Sequence, residues 1–194
     1  MGDKQSLFTA SFNRSLSVEC RPERLTGDAG AILLREILER SRIVEWLEKR
    51  LVDPRDTSQV VYPLPVLLRT AIILQGQGWG DQDDADALRF DAALRLAVSG
   101  RRGDGALSAE CHLASQPTLS RLHGVLSSET NRRGLREGLV EFAGCRVRSM
   151  NGGRRRPSLT IDVDSLPVEV HGEQAQPEWN GHYHQRMYHP CLSG

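Results

Sequence analysis

With 194 residues, the chain is long enough to bury one core of ordinary size or two smaller ones. Hydrophobic residues make up 39% of it and charged residues 26%, a composition that excludes a disordered chain and fits a globular protein. The 25 basic and 25 acidic residues cancel, so the chain as a whole is not a strongly basic nucleic-acid binder.

Neither a membrane span nor a secretory signal is recognisable in the sequence. No apolar run approaches the roughly 20 residues that a membrane helix needs. The first residues, Met1 to Gln5, lack the basic start and apolar stretch of a signal peptide. We therefore predict a cytoplasmic protein with no membrane partner.

Helical periodicity dominates residues 25–150, after a lead-in of residues 1–24 that we expect to be poorly ordered. A first helix follows the capping residues at 26–28, and a second should cover residues 42–51, ending before Pro54. The third and most hydrophobic helix begins at Pro65 and ends at Gly76. The first helix is predicted to turn these residues inward: Ala31, Leu33, Leu34, Ile37 and Leu38.

Residues 81–86 are rich in aspartate and admit two interpretations. One is a calcium-binding loop, but position twelve counted from Asp81 is Ala92 instead of the glutamate that such a loop requires. The other is an acidic first helical turn, favoured by the helix dipole, leading into Leu88, Phe90 and Leu94. The second interpretation fits the sequence better.

A polar, capped helix is predicted from Ser115 to Leu122. It suits either an ordinary short surface helix or the reading helix of a helix-turn-helix motif. In the second case, the residues near the DNA bases would be Gln116, Thr118, Ser120 and Arg121.

The last helix, residues 129–147, begins a locally basic stretch. We predict an inward face of Leu135, Leu139, Val140, Phe142 and Ala143, with the arginines outward. A linker of residues 151–157 follows, broken at Gly152 and Gly153. Arginines along this stretch could bind DNA phosphates. They are Arg132, Arg133, Arg136, Arg154, Arg155 and Arg156.

After the linker the pattern changes to strands. In a strand over residues 158–164, Asp162 and Asp164 share one face, a pattern that suits Mg²⁺ or a strand end that has reached solvent. A second strand over residues 181–188 should pair with the first. A transition-metal site is the alternative for the nearby histidines, His171, His182, His184 and His189.

Several segments, in a shared order and spacing, resemble one family, the group 1 DDE transposases of bacterial insertion sequences. The resemblance extends over residues 25–190. The matching segments are residues 25–30, 51–56, 78–86, 88–91, 113–122, 161–164, 171–172 and 180–183. The second of them contains Asp53-Pro54-Arg55-Asp56.

The resemblance implies an α+β fold class: a mainly helical N-terminal domain that helps bind the inverted repeats, then an RNase H-like catalytic domain. In that domain, three acidic residues hold two Mg²⁺ ions that cleave and join DNA. Asp164 corresponds to the first acid, with Asp162 as the alternative, because the threonine usual two residues after this acid is replaced by Leu166.

The chain also departs from the family, since Glu178 is its last acidic residue. We therefore expect an N-terminal fragment in which residues 158–194 are the start of a truncated RNase H-like domain. Three hypotheses follow. The first is a transposase fragment that is inactive alone. The second is a non-catalytic module that competes for transposon ends and has a second copy of itself or an intact transposase as a possible partner. The third is a decayed gene product.

Overall fold

The helix α3, Leu64–Gly76, is the most apolar element of the molecule, as its sequence predicts. Leu67, Ile73 and Leu74 on this helix are buried, and each such side chain contributes about 1.5–3 kcal/mol. Pro65 lies in the first turn, where its missing N–H leaves no helical hydrogen bond unmade. The predicted third helix is thus confirmed.

The chain divides into two compact units, Met1–Cys145 and Arg146–Gly194. The structure is a computed structural model. It describes residues 8–18, 28–81, 83–101, 105, 107–108, 112–154, 158, 160, 163–165, 167–170, 177–188 and 191–193.

In the first unit, α1 and α5 pack against α3 and against each other. Buried leucines and alanines of these helices form a continuous core with Leu113 and with Leu119 and Leu122 of α6. Besides α3, the described helices are α1 Gly30–Ser41, α2 Ile43–Glu48, α4 Asp84–Ala87, α5 Ala92–Val98, α6 Gln116–Leu126 and α7 Glu129–Met150.

Helix α1 buries only part of the face that its apolar residues predict. Leu33 and Ile37 are 49% and 58% exposed, whereas Arg35 and Glu36 are buried. Arg35 donates from Nη1 to the carbonyl oxygens of Ala97 (2.7 Å) and Ser99 (3.0 Å) at the end of α5. The predicted inward positions of Leu33 and Ile37 were therefore wrong, because these hydrogen bonds hold the Arg35 side of the helix against α5. Ala31 and Leu38 are buried, as their spacing predicts.

A short hairpin precedes α1, within the region that the sequence predicts to be a poorly ordered lead-in. Strand β1, Phe8–Thr9, pairs antiparallel with β2, Ser17–Val18. The Ser11 N–H donates to the buried Glu36 carboxylate at 2.7 Å. Residues 8–18 therefore differ from that prediction, because Glu36 holds them against α1.

The acidic segment 81–86 does not lead into one continuous helix. Helix α4 covers only Asp84–Ala87, and Phe90 is 69% exposed. The Asp91 carboxylate then accepts a hydrogen bond from the Leu94 N–H at 2.9 Å and caps α5 as a separate helix. The predicted single helix through Leu88 and Phe90 is thus interrupted at Asp91.

Helix α7 packs against α2 through glycines. A Cβ at Gly134 would lie 3.1 Å from the carbonyl oxygen of Arg50, and one at Gly138 would lie 3.0 Å from the Trp46 ring. Leu139 and Val140 are 50% and 72% exposed, so their predicted inward positions were wrong. Neither α7 nor any other helix in the described residues is long and apolar enough to span a membrane.

The described residues of the second unit contain short antiparallel strands in two sheets. Strand β3, Val163–Ser165, pairs with β7, Cys191–Ser193. The other sheet has the order β4-β6-β5, with β4 Val168–Glu169, β5 Glu178–Asn180 and β6 Gln185–Tyr188. The predicted pairing of residues 181–188 with residues 158–164 was therefore wrong.

Asn180 explains why the first half of the predicted strand, residues 181–184, is a turn. Its side-chain oxygen accepts hydrogen bonds from the N–H groups of His182 (2.8 Å) and Tyr183 (3.2 Å). Residues 181–184 consequently form the turn between β5 and β6, with His184 in the left-handed region at φ 53°. Only the second half of the predicted strand, from Gln185 to Tyr188, is strand.

Candidate nucleic-acid interface

Helix α6 carries the four residues that the sequence predicts to face DNA. Leu119 and Leu122 are buried in the core, which turns Ser120 and Arg121 outward, where both are exposed. Ser115 precedes the helix, and its hydroxyl lies 3.1 Å from that of Thr118. Of the four predicted residues, Ser120 and Arg121 are therefore exposed, whereas Gln116 and Thr118 are half-buried.

The connection before α6 does not form a compact helix-turn-helix with α5. Helix α5 ends at Val98 and α6 begins at Gln116, so residues 99–115 separate them. The motif joins its two helices by a turn of about three to four residues. Instead, α6 packs against α4, and the Gln116 N–H donates to the Asp86 carboxylate at 3.2 Å.

An open cavity of about 620 Å³ borders the start of α6. Its polar lining includes Thr118 and Arg121 of α6, which the sequence predicts to bind DNA, together with Arg55, Arg89 and His112. We call these five residues the arginine pocket. Asp56 also lines the cavity and contributes a negative charge.

Arg55 is held in place by the loop between α2 and α3. Its guanidinium donates twice to the Asp53 carboxylate, at 2.8 and 2.6 Å, and once to the carbonyl oxygen of Tyr62 at 3.2 Å. The hydrogen bonds from Arg55 lower the pKa of Asp53, although partial burial works in the opposite direction. The positive charge of Arg55 is thus largely balanced by Asp53.

Arg89 and His112 form the half-buried wall of the pocket. The Arg89 Nε and the His112 Nδ1 are buried without a hydrogen-bond partner among the described residues. The Leu113 N–H donates to the Arg89 carbonyl oxygen at 3.2 Å, which holds the two wall residues on adjoining segments. Buried polar atoms without partners are costly, so the pair is unusual for a purely structural wall.

Sequence reasoning missed both of these residues as site residues. Arg89 lies between Leu88 and Phe90, in the segment predicted to continue a helix from the acidic residues, and His112 lies beyond a glycine-rich loop. The available signal for Arg89 was a lone cation between two apolar residues. His112 carries no such signal, because its role depends on a fold that brings distant segments together.

The arginines of the basic stretch lie in several settings. Arg132, Arg133 and Arg136 are exposed on α7, and Arg132 pairs with Glu129. Arg154 is exposed just after the turn that follows α7, whereas Arg155 and Arg156 lie outside the described residues. None of these arginines lines the cavity of the arginine pocket.

The predicted metal ligands are only partly described. Asp164 lies in β3, in register with Leu192 of β7, and Asp162 lies outside the described residues. Within the described ranges, no three His, Cys, Asp or Glu side chains group as a metal site would require. The described residues therefore do not by themselves fit a two-metal centre.

The two alternative metal sites are also without support in the described residues. His182 and His184 belong to a turn and so do not share a strand face, while His171 and His189 lie outside the described residues. In the acidic segment, the carboxylates accept backbone hydrogen bonds, from the Asp81 N–H to Asp84 (3.3 Å) and from the Asp83 N–H to Asp81 (3.0 Å).

Comparison with known families gives the class of protein. The model of the family described as transposase DDE domain group 1 matches residues 8–193, which is most of the chain. This chain therefore belongs to the DDE transposase family, as its sequence motifs predict. No significant match was found among curated proteins or among solved structures.

Proposed function

We propose that this chain binds DNA at the inverted repeats of an insertion sequence, through the surface that α6 and the arginine pocket form. The observation that carries this proposal is the meeting of Thr118 and Arg121 with Arg55, Arg89 and His112 at one cavity, in a chain of the transposase family. Clustered guanidinium groups suit the DNA backbone, because each can donate two hydrogen bonds to a phosphate.

Gln116, Ser120 and the exposed arginines of α7 extend this proposal. Ser120 would lie near the DNA, and Gln116 would do so at the first turn of α6. Arg132, Arg133 and Arg136 would contact phosphates, as would Arg154, Arg155 and Arg156 beyond α7. Phosphate contacts set affinity and orientation, whereas selection of the repeat sequence needs contacts to base edges.

The family reaction is Mg²⁺-dependent cleavage and strand transfer of DNA, and we propose that the second unit opens an RNase H-like domain. Asp164, or Asp162 as the alternative, would be its first metal-binding acid. Because the described residues do not fit a complete metal centre, we derive no catalytic step from them. We propose that residues 1–194 alone cleave no DNA.

Binding can be tested with labelled duplexes that carry an inverted-repeat end or a shuffled sequence of equal length. We expect binding to both at low salt, with a preference for the repeat and a linear fall of log affinity with log salt concentration. Equal affinity for both duplexes at every salt concentration would contradict recognition of the repeat.

Cleavage can be tested with the same duplexes in Mg²⁺ or Mn²⁺. The expected result is no nick above that of a preparation in which Asp162 and Asp164 are both changed to asparagine. A specific nick at the repeat end that disappears in the double variant would overturn the proposal of inactivity, and would identify these aspartates as functional.

A second candidate function follows from the same surface without any catalysis. A chain that occupies transposon ends would compete there with an intact transposase in the cytoplasm, either as a single copy or paired with another. Adding the chain to a transposition assay with an intact family member should then reduce transposition, and the reduction should be lost when Arg121 is changed to glutamine.

A further inference from the structure

We propose that the arginine pocket is a binding site for one phosphodiester group of the DNA backbone, with Arg89 and Arg121 as its principal donors. This inference rests on the proposed DNA-binding function and names the part of DNA that the pocket takes. Sequence reasoning assigned no role to Arg55, Arg89 or His112.

The charge in the pocket favours an anion. Asp53 largely balances Arg55, and Asp56 is the acidic residue in the cavity lining. No ion pair among the described residues engages Arg89 or Arg121. Two guanidinium groups thus remain to meet a negative group, with Arg55 held beside them by Asp53.

The unpartnered atoms in the wall point to the same kind of ligand. The Arg89 Nε and the His112 Nδ1 are both buried and without hydrogen-bond partners among the described residues. A rotation of the guanidinium that turns its Nε–Nη2 edge to the cavity would let Arg89 donate two parallel hydrogen bonds to phosphate oxygens. A bound phosphate would therefore supply the acceptor that the protein does not.

The size and lining of the cavity favour a DNA strand over a small free anion. At about 620 Å³ it is far larger than a phosphate group, and it is open to solvent. Val60, Val61 and Tyr62 give it an apolar side beside the arginines, which suits the deoxyribose next to a phosphate. Thr118 and Arg121 place it at the first turns of α6, where the proposed DNA surface lies.

A packing role for Arg89 predicts a different outcome from a binding role. If the aliphatic stem and guanidinium of Arg89 only fill the wall, Arg89→Met should leave DNA binding intact. If Arg89 binds a phosphate, Arg89→Met should lower the affinity for DNA. The unfolding midpoint should equal or exceed that of the wild type, because the change removes a buried unpaired donor. DNA affinity, measured on a variant that stays folded, therefore separates the two roles.

The experiment measures the affinity of the full chain for repeat and shuffled duplexes by fluorescence anisotropy across a salt series. Arg89→Met and Arg121→Gln are compared with the wild type and with Arg14→Gln. Arg14 is an exposed arginine in the turn between β1 and β2, outside the proposed DNA surface. It therefore controls for the loss of one positive charge.

We expect Arg89→Met and Arg121→Gln each to weaken binding roughly tenfold on both duplexes, which corresponds to about one charged hydrogen-bonding contact. The slope of log affinity against log salt should fall in magnitude by about one, as for the loss of one phosphate contact. Arg14→Gln should keep the wild-type slope. Folded variants with the affinity and slope of Arg14→Gln would overturn the inference.

Failure of the inference can be told apart from failure of the proposed function. If the wild type binds neither duplex at low salt, DNA binding itself is refuted. The pocket is then tested with inorganic phosphate, followed through the NMR signals of the His112 ring. A saturable shift that is lost in Arg89→Met would support a phosphate site, and its absence from the wild type would refute one.

Discussion

The two units of the chain differ in how much they bury. In Met1–Cys145, leucine, isoleucine and alanine side chains from α1, α3, α5 and α6 make a continuous core. Among the described residues of Arg146–Gly194, Met187 is the buried hydrophobic side chain, while Trp179 is 63% exposed. The first unit thus has the means to fold and to hold a shaped surface, and the proposed binding function rests on it.

Shortening a core side chain should show this contrast most strongly. Leu67→Ala removes most of a side chain that is 1% exposed on α3. It should destabilise the first unit by about 2–5 kcal/mol, because the helices around it can close the cavity only in part. Urea unfolding followed by far-ultraviolet circular dichroism would measure the loss, since the helical signal of α1 to α6 comes from this unit.

Met187→Ala is the matched control in the second unit. Met187 is also 1% exposed, but it lies in the three-stranded sheet of short strands. The helical unfolding transition should therefore keep its wild-type midpoint. If Met187→Ala shifted that transition as far as Leu67→Ala does, the two units would share one cooperative core, and the contrast between them would fail.

Alanine substitution of two glycines on α7 should give the next largest change in stability. It tests whether α7 needs close approach to Trp46 of α2. A Cβ at Gly138 would lie 3.0 Å from the Trp46 ring, which is itself packed against Phe142, whereas a Cβ at Gly144 would meet nothing within 4 Å. Both changes to alanine gain the same helix propensity. Gly138→Ala should therefore be less stable than Gly144→Ala by about 1–3 kcal/mol.

Thermal unfolding of both glycine variants would measure that difference. Equal stabilities would show that Trp46 moves aside freely, and that α7 does not need close approach to α2.

Apolar periodicity predicted the helices more reliably than the faces they bury. It identified α3 correctly, because most positions of that helix are hydrophobic. It failed in part for α1, where Leu33 and Ile37 are exposed. Arg35 instead binds α5 and Glu36 binds the β1–β2 hairpin, and a sequence pattern does not reveal such partners. It failed for α7 because glycines, which carry no hydrophobic signal, make the contact with α2.

The candidate site shows the same limit. Thr118 and Arg121 were predicted because they lie on one short polar helix. Arg55, Arg89 and His112 come from separate segments, and the fold of the first unit brings them to one cavity. The role of Asp164 stays a prediction, since it rests on the family resemblance and on its position in β3.

The smallest expected effect is a pH-dependent change in stability. It tests the ion pair between Asp53 and Arg55 in the loop between α2 and α3. In the folded chain, hydrogen bonds from Arg55 lower the pKa of Asp53 below the ordinary aspartate value of about 3.9. The ion pair therefore adds stability above about pH 4, and this contribution is lost as the pH falls through the lowered pKa of Asp53.

Asp53→Asn should then cost about 0.2–1 kcal/mol at neutral pH, because both side chains are only about three-quarters buried, at 25% and 26% exposure. The difference between wild type and variant should vanish in acid, where Asp53 is protonated in the wild type as well. Thermal unfolding at neutral and acidic pH would measure it, with Arg55→Gln and the double variant completing the cycle. The Arg55 N–H also donates to the Asp53 carboxylate at 3.1 Å, a bond that an asparagine oxygen can still accept. A stability difference that persisted unchanged in acid would therefore contradict a contribution from the charge of Asp53.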